Sequence, residues 1–321
     1  MNININDIYA AQATISPYAV KTPLLESPLL NKRLGGRLLI KAEPLQITGS
    51  FKLRGAINRI ANLNQDEKAK GIIAYSSGNH AQAVAYAAGL FGTSAVIVMP
   101  KDAPKVKIEK TKAYGGEVVL YDRYTEDRTK VCARISEKRG LILIPPFDDA
   151  YVIAGQGTLG LEVAEQAEGM GLQLDAFLVC CSGGGLTAGC AIALNSKSPS
   201  TAVYAVEPIG FDDTNRSLIA GKIVENVAGA NSICDAILVN RPGELTFPIN
   251  KKLLKGGLVV SDDEALNAIA VAHDEFKLTV EPGGAVALAA VLSGKIDIKG
   301  KIIAVVCTGG NVDQDIFRKA I

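Results

Sequence analysis

Tryptophan is absent from this sequence, and histidine occurs only twice, at positions 80 and 273. No apolar run approaches the roughly 20 residues that span a bilayer. The opening MNININDIYAAQATI lacks the basic stretch and apolar core of a signal peptide. Neither sign of charge is in excess, since 34 Lys and Arg face 33 Asp and Glu for a net charge of +1. With no basic run interleaved with aromatics, neither nucleic acid nor an anionic membrane is expected as a partner. The six cysteines (Cys132, Cys180, Cys181, Cys190, Cys234 and Cys307) show no CxxC spacing. They read as reduced core thiols of a cytoplasmic protein, not as disulfides or metal ligands.

What is present is a soluble globular composition, 48% hydrophobic and 21% charged over 321 residues, long enough for two domains sharing a cleft. Strand-like and helix-like stretches alternate. RLLIKAE (37–43) predicts a strand, and 50–63 a helix with Ser50 as N-cap. GIIAYSS (71–77), SAVIVMP (94–100), EVVLYD (117–122) and LILIPP (141–146) predict short buried strands separated by helices, a βαβαβαβ unit with a parallel sheet. A second α/β series follows, with strands at 175–182, 202–208 and 301–308 and helices around 154–170, from 186 and at 262–276. In open α/β sheets ligands sit beyond the carboxyl ends of the strands. Attention therefore falls on the loops after Ser77, Ser182, Pro208 and Thr308.

CSGGGLTAG (181–189) follows an apolar strand and opens a helix. Three glycines free backbone N–H groups to converge on an anion at the helix start, although a tight strand-to-helix turn has the same pattern. GQGTLG (155–160) matches GxGxxG but follows only VIA, so it lacks the strand that a dinucleotide site needs. SSGNHAQ (76–82) holds more polar groups than one helix cap requires, and His80, with no Cys or second His nearby, reads as site-lining or structural. CTGGNVD (307–313) ends a strand in a hydroxyl, and EPGGA (281–285) sets a carboxylate before a glycine-rich helix start. EPIGFDD (207–213) is either a solvated acidic loop or a site for a hard cation. In GSFKLRGA (49–56), Lys52 is either a solvated helix residue or a buried amine with a covalent role.

In the order TGSFKLRGA, SSGNHAQ, PFDDAYVIAGQGT, SGGGL, EPIGFDD, EPGGA and CTGGNVD, these stretches resemble the fold-type II enzymes that use pyridoxal 5′-phosphate, in the branch of serine/threonine dehydratases and serine racemases. The resemblance runs from about Thr22 to Asp313. It implies an α/β fold of two domains, a large one from 1–64 and 148–321 and a small inserted one from 65–147. It implies that Lys52 forms the Schiff base with the cofactor beside Phe51, and then takes the substrate α-proton. Ser182, where the family more often has glycine, with Gly183, Gly184, Gly185 and Leu186 would hold the phosphate. Asn79 would bond the ring hydroxyl and Thr308 the ring nitrogen; a hydroxyl there makes the ring a weaker electron sink, suited to elimination.

Ser77 would face the opposite side of the cofactor: in racemases the matching serine is catalytic and handles the proton on that face, and in dehydratases it helps Ser76, Asn79 and His80 seat the substrate carboxylate. The implied reaction turns L-threonine or L-serine into a 2-oxo acid and ammonia; serine racemisation and cleavage of threo-3-hydroxyaspartate are the alternatives. For hydroxyaspartate, Arg128, Arg241 or His80 would supply a cation to the second carboxylate; each equally fits a surface or structural residue, the preferred reading for Arg241. Glu207, Asp213 and the Phe211 carbonyl fall on the family's cation positions, suited to Mg²⁺, Ca²⁺ or Mn²⁺ in a structural role. The family's usual form is a homodimer. The chain stops soon after the last motif, so the regulatory domain of biosynthetic threonine deaminases is not expected.

Overall fold

The computed structural model describes residues 3–321. Ten strands form two sheets: β1 (Leu24–Glu26), β2 (Arg37–Ala42), β3 (Ile72–Tyr75), β4 (Ala95–Pro100), β5 (Glu117–Tyr121), β6 (Ile142–Leu143), β7 (Ala176–Cys180), β8 (Ala202–Pro208), β9 (Gly256–Val260) and β10 (Ile302–Cys307). One sheet runs β1-β2-β10-β7-β8-β9 and the other β5-β4-β3-β6. Every pairing is parallel except β1 with β2. The sequence dictates this. AVIVMP of β4 and AFLVC of β7 are buried at every position, as parallel strands covered on both faces must be. β1 and β9 escaped the sequence pattern because LLE is three residues long and GGLVV opens on two glycines.

GQGTLG lies inside the helix Ala150–Gly169 and forms no loop. Its glycines let helices touch: a Cβ on Gly157 would stand 2.9 Å from the Gly189 carbonyl, and one on Gly160 2.7 Å from the Cys190 Cα. The motif serves packing, not phosphate.

Ser50 does not cap a helix. The helix spans Lys52–Ala61 with Phe51 at the cap position and no side-chain cap bond. The reason is tertiary: Ser50 bridges Gly309, Phe51 N–H donates to the Thr308 carbonyl at 3.0 Å, and Gly310 N–H donates to that of Gly49 at 2.9 Å. Pairing with the end of β10 overrides the local cap. One turn further on, fully buried Arg54 grips Glu43 and Glu162, both at 2.7 Å, while Lys41 reaches Glu162 at 2.6 Å. This charge cluster fastens the helix from behind, so Lys52 at its first turn has a fixed place at the cleft.

Candidate functional site

One pocket gathers the loops that follow β3, β7 and β10 with the start of the helix Lys52–Ala61. Its character comes first from lysine placement. Lys41 and Lys107 are buried, and each amine rests on a carboxylate, Lys107 on Asp235 at 2.7 Å. Lys52, facing the pocket, has none within ion-pair reach; its Nζ donates to the Pro146 carbonyl at 2.8 Å. Burial lowers its pKa to about 8, with the charge of Glu281 pulling the other way. An amine of that pKa has a substantial neutral, nucleophilic fraction near neutrality. Phe51 lies beside it, its ring centre 5.2 Å from Nζ.

Residues 182–186 form the opposite wall. Glycine is required here: a Cβ on Gly183 would sit 2.4 Å from the Phe147 ring, and Gly184 has φ 91 with Asn250 2.6 Å from where its Cβ would be. Thr246 Oγ1 donates to the Gly183 carbonyl at 2.6 Å and Asn250 Nδ2 to the Gly184 carbonyl at 3.3 Å. Peptide planarity then turns the N–H groups of Gly184 and Gly185 away from those residues. Ser182 Oγ and Thr187 Oγ1 are buried without a protein partner. Free donors, unpartnered hydroxyls and a helix N-terminus together fit a phosphate.

The other expected residues are distributed as follows. Ser76, Ser77, Asn79, His80, Leu186, Thr308 and Arg128 all line this pocket. Asn79 accepts from Asn311 at 2.9 Å and donates to Glu281, which leaves it one N–H. His80 donates from Nε2 to the Ile144 carbonyl at 3.0 Å, and burial together with nearby Lys52 lowers its pKa to about 3. It is therefore neutral and offers no cation to a carboxylate. Arg128 stacks over Tyr75 at 5.5 Å and has no carboxylate partner among the described residues. Arg241 pairs with Glu244 at 2.8 Å on the surface, outside the pocket.

Glu207, Phe211 and Asp213 lie apart from the pocket, around the turn from β8 into the helix Asp213–Ala220. The Glu207 carboxylate accepts from Thr214 N–H at 3.0 Å and Asn215 N–H at 2.8 Å. Asp213 Oδ1 accepts from Asn226 at 2.6 Å, while its buried Oδ2 has no partner. Burial and then Asp213 raise the pKa of Glu207 to about 8; burial raises that of Asp213 to about 6. Among the described residues, no three His, Cys, Asp or Glu side chains converge on a metal-sized site.

Sequence reasoning missed Lys107, Asp235 and Glu281 as pocket residues. EPGGA carried a signal for Glu281. Lys107 lies within the highly charged KVKIEKTKA, where nothing marks one lysine as buried.

Known proteins resemble this chain over nearly its whole length. The sequence model of a family described as pyridoxal-phosphate dependent enzyme matches residues 15–309. The serine racemase of Schizosaccharomyces pombe is 40% identical, over 97% of this chain and 95% of that protein. The L-threo-3-hydroxyaspartate ammonia-lyase of Saccharomyces cerevisiae is also 40% identical, over 98% and 95%. The crystal structure of a T.th. threonine deaminase superimposes with a TM-score of 0.91 at 46% identity, covering 97% of this chain and 99% of the other.

Proposed function

The chain belongs to the pyridoxal-phosphate dependent enzymes, and from that premise we propose that it is a lyase converting a β-hydroxy amino acid, L-threonine or L-serine, into a 2-oxo acid and ammonia. The observation that carries this is Lys52, the pocket amine with only a carbonyl partner, facing a glycine cradle with unpartnered hydroxyls. The 46%-identical threonine deaminase supports threonine as the leading substrate.

Lys52 would hold the cofactor, with Phe51 beside its ring; 182–186 would take the phosphate, and Asn79 and Thr308 the ring's polar edge. Pyridoxal phosphate, when bound, supplies an electron sink for the pair left behind as the substrate α-proton departs. Lys52 Nζ takes that proton in its neutral form. The β-hydroxyl leaves as water and a second water releases ammonia, so the net loss is ammonia alone. Ser76 and Ser77 seat the substrate carboxylate. Glu207, Asp213 and the Phe211 carbonyl hold a divalent cation, a reading supported by the unpartnered Asp213 Oδ2. We read the enzyme as a cytoplasmic homodimer, and its six free, buried cysteines support a reducing compartment.

A second reading has its own observation. The unpaired Arg128 at the pocket would suit the extra carboxylate of threo-3-hydroxyaspartate. Assaying 2-oxo acid and ammonia from L-threonine, L-serine, D-serine and threo-3-hydroxyaspartate, with chiral analysis of the remainder, tests both. Oxo acid chiefly from threonine or serine supports the first reading, and oxo acid chiefly from hydroxyaspartate the second. Enantiomer appearing faster than oxo acid overturns the lyase in favour of a racemase.

A further inference from the structure

Lys107 is a second amine at the pocket, and the reaction above leaves it unused. It belongs to the helix Lys105–Ala113, which leads from β4 to β5 in the four-stranded sheet. Its stem crosses Gly78, where a Cβ would lie 2.6 Å from Lys107 Cδ. Only glycine lets it pass. Nζ then stands 2.7 Å from Asp235 Oδ2 and 3.8 Å from Glu281 Oε2.

Both carboxylates lie on the other side of the pocket. Glu281 precedes the helix Pro282–Leu292, which packs on β10 and β7 of the six-stranded sheet, and Asp235 opens the turn Asp235–Ile237 against that helix. Residues 235–239 all line the pocket. Glu281 Oε2 is buried without a hydrogen-bond partner, so the Lys107 ammonium is its nearest compensation. Glu281 Oε1 in turn receives the amide of Asn79.

We propose that Lys107 is a positioning residue that clamps the two sheets across the site, holding the wall 235–239 over the substrate through Asp235 and keeping Glu281 in place for Asn79. One ammonium thus serves two carboxylates with different duties. Burial works against the Lys107 charge, but Glu281 and Asp235 outweigh it and its pKa lies above the usual lysine value. The ammonium form, which the clamp needs, is the one present at neutral pH. The inference rests on the pocket being the active site, not on which amino acid the pocket takes.

The duties separate by mutation. Asp235, whose side chain is 41% exposed, can lose its charge in Asp235→Asn while its amide oxygen still accepts from the buried Lys107 ammonium and Glu281 remains as the counter-charge. Lys107→Met leaves Glu281 uncompensated as well. Amide hydrogen exchange is measured on the cofactor-loaded protein, without substrate, for wild type and both variants. Exchange over 232–240 is expected to rise on the order of tenfold in each, since the Lys107–Asp235 ion pair is lost in both. In steady-state assays Asp235→Asn is expected to raise KM by a larger factor than it lowers kcat. The absorption of the bound cofactor should shift in Lys107→Met alone. Wild-type exchange over 232–240 together with an unchanged KM in Asp235→Asn would overturn the clamp, even if Lys107→Met fails to fold. Because exchange needs no turnover, a wrong substrate assignment would leave that result intact.

Discussion

The Pro146 carbonyl accepts a hydrogen bond from Lys52 Nζ at 2.8 Å. A neutral carbonyl holds an ammonium proton less firmly than a carboxylate does. That separates Lys52 from the more fully buried Lys41 and Lys107, which sit on Glu162 and Asp235. Burial makes an amine reluctant to hold its proton: the carboxylates beside Lys107 outweigh it, Lys41 stays below the ordinary lysine value despite Glu162, and Lys52, with a carbonyl alone, falls to about 8.

Replacing Lys52 with alanine should therefore remove activity by at least the factor that a general base supplies, on the order of 10²–10⁴. The fold should survive, because Arg54, and not Lys52, anchors the helix. Circular dichroism and 2-oxo acid release check the two halves separately.

In the cofactor-free protein, the Lys52 pKa of about 8 sets a pH window. Recombination with pyridoxal phosphate requires the neutral amine, so its rate should rise through about pH 8 and level off above. The stability sign agrees. Between about 8 and the ordinary lysine value of about 10.4, the unfolded chain binds more protons at this site than the folded one. The Lys52 contribution to stability therefore increases as pH rises across that interval. A recombination rate that is flat with pH would contradict the assignment.

Gly184→Ala should impair cofactor binding. Its φ of 91 costs a side chain about 1–2 kcal/mol, and the new Cβ would also meet Asn250 at 2.6 Å. Equilibrium titration of the apoprotein, followed by absorbance, gives the affinity loss directly.

Arg128→Gln should discriminate between substrates. Losing a charge-assisted hydrogen bond costs about 1.5–3 kcal/mol, roughly ten- to a hundredfold in KM, for threo-3-hydroxyaspartate only. Threonine and serine have no second carboxylate, so their KM values should hardly change.

A divalent cation at Glu207 and Asp213 should raise the melting temperature. Ligand at about a hundred times Kd stabilises the native state by about 2.7 kcal/mol. Asp213→Ala should abolish that increment, as read by thermal melts with Mg²⁺, Ca²⁺ or Mn²⁺ and with a chelator.

The sheets were legible in the sequence because buried parallel strands are written as unbroken apolar runs such as AVIVMP and IIAVVC. The glycine loop was legible because close backbone approach leaves a local mark, whereas Lys52 stood out only through the ordered set of motifs that resembles a known family. What stayed hidden depends on distant pairing. Ser50 looked like a cap until Gly309 claimed its backbone. Lys107 is indistinguishable from the solvated lysines of its helix until Gly78, Asp235 and Glu281 enclose it.

The most direct test is to reduce the cofactor-loaded enzyme with borohydride and map its peptides by mass spectrometry. The account predicts the pyridoxyl phosphate adduct on Lys52 and on no other lysine. An adduct on Lys107 or Lys41, or none at all, would contradict it.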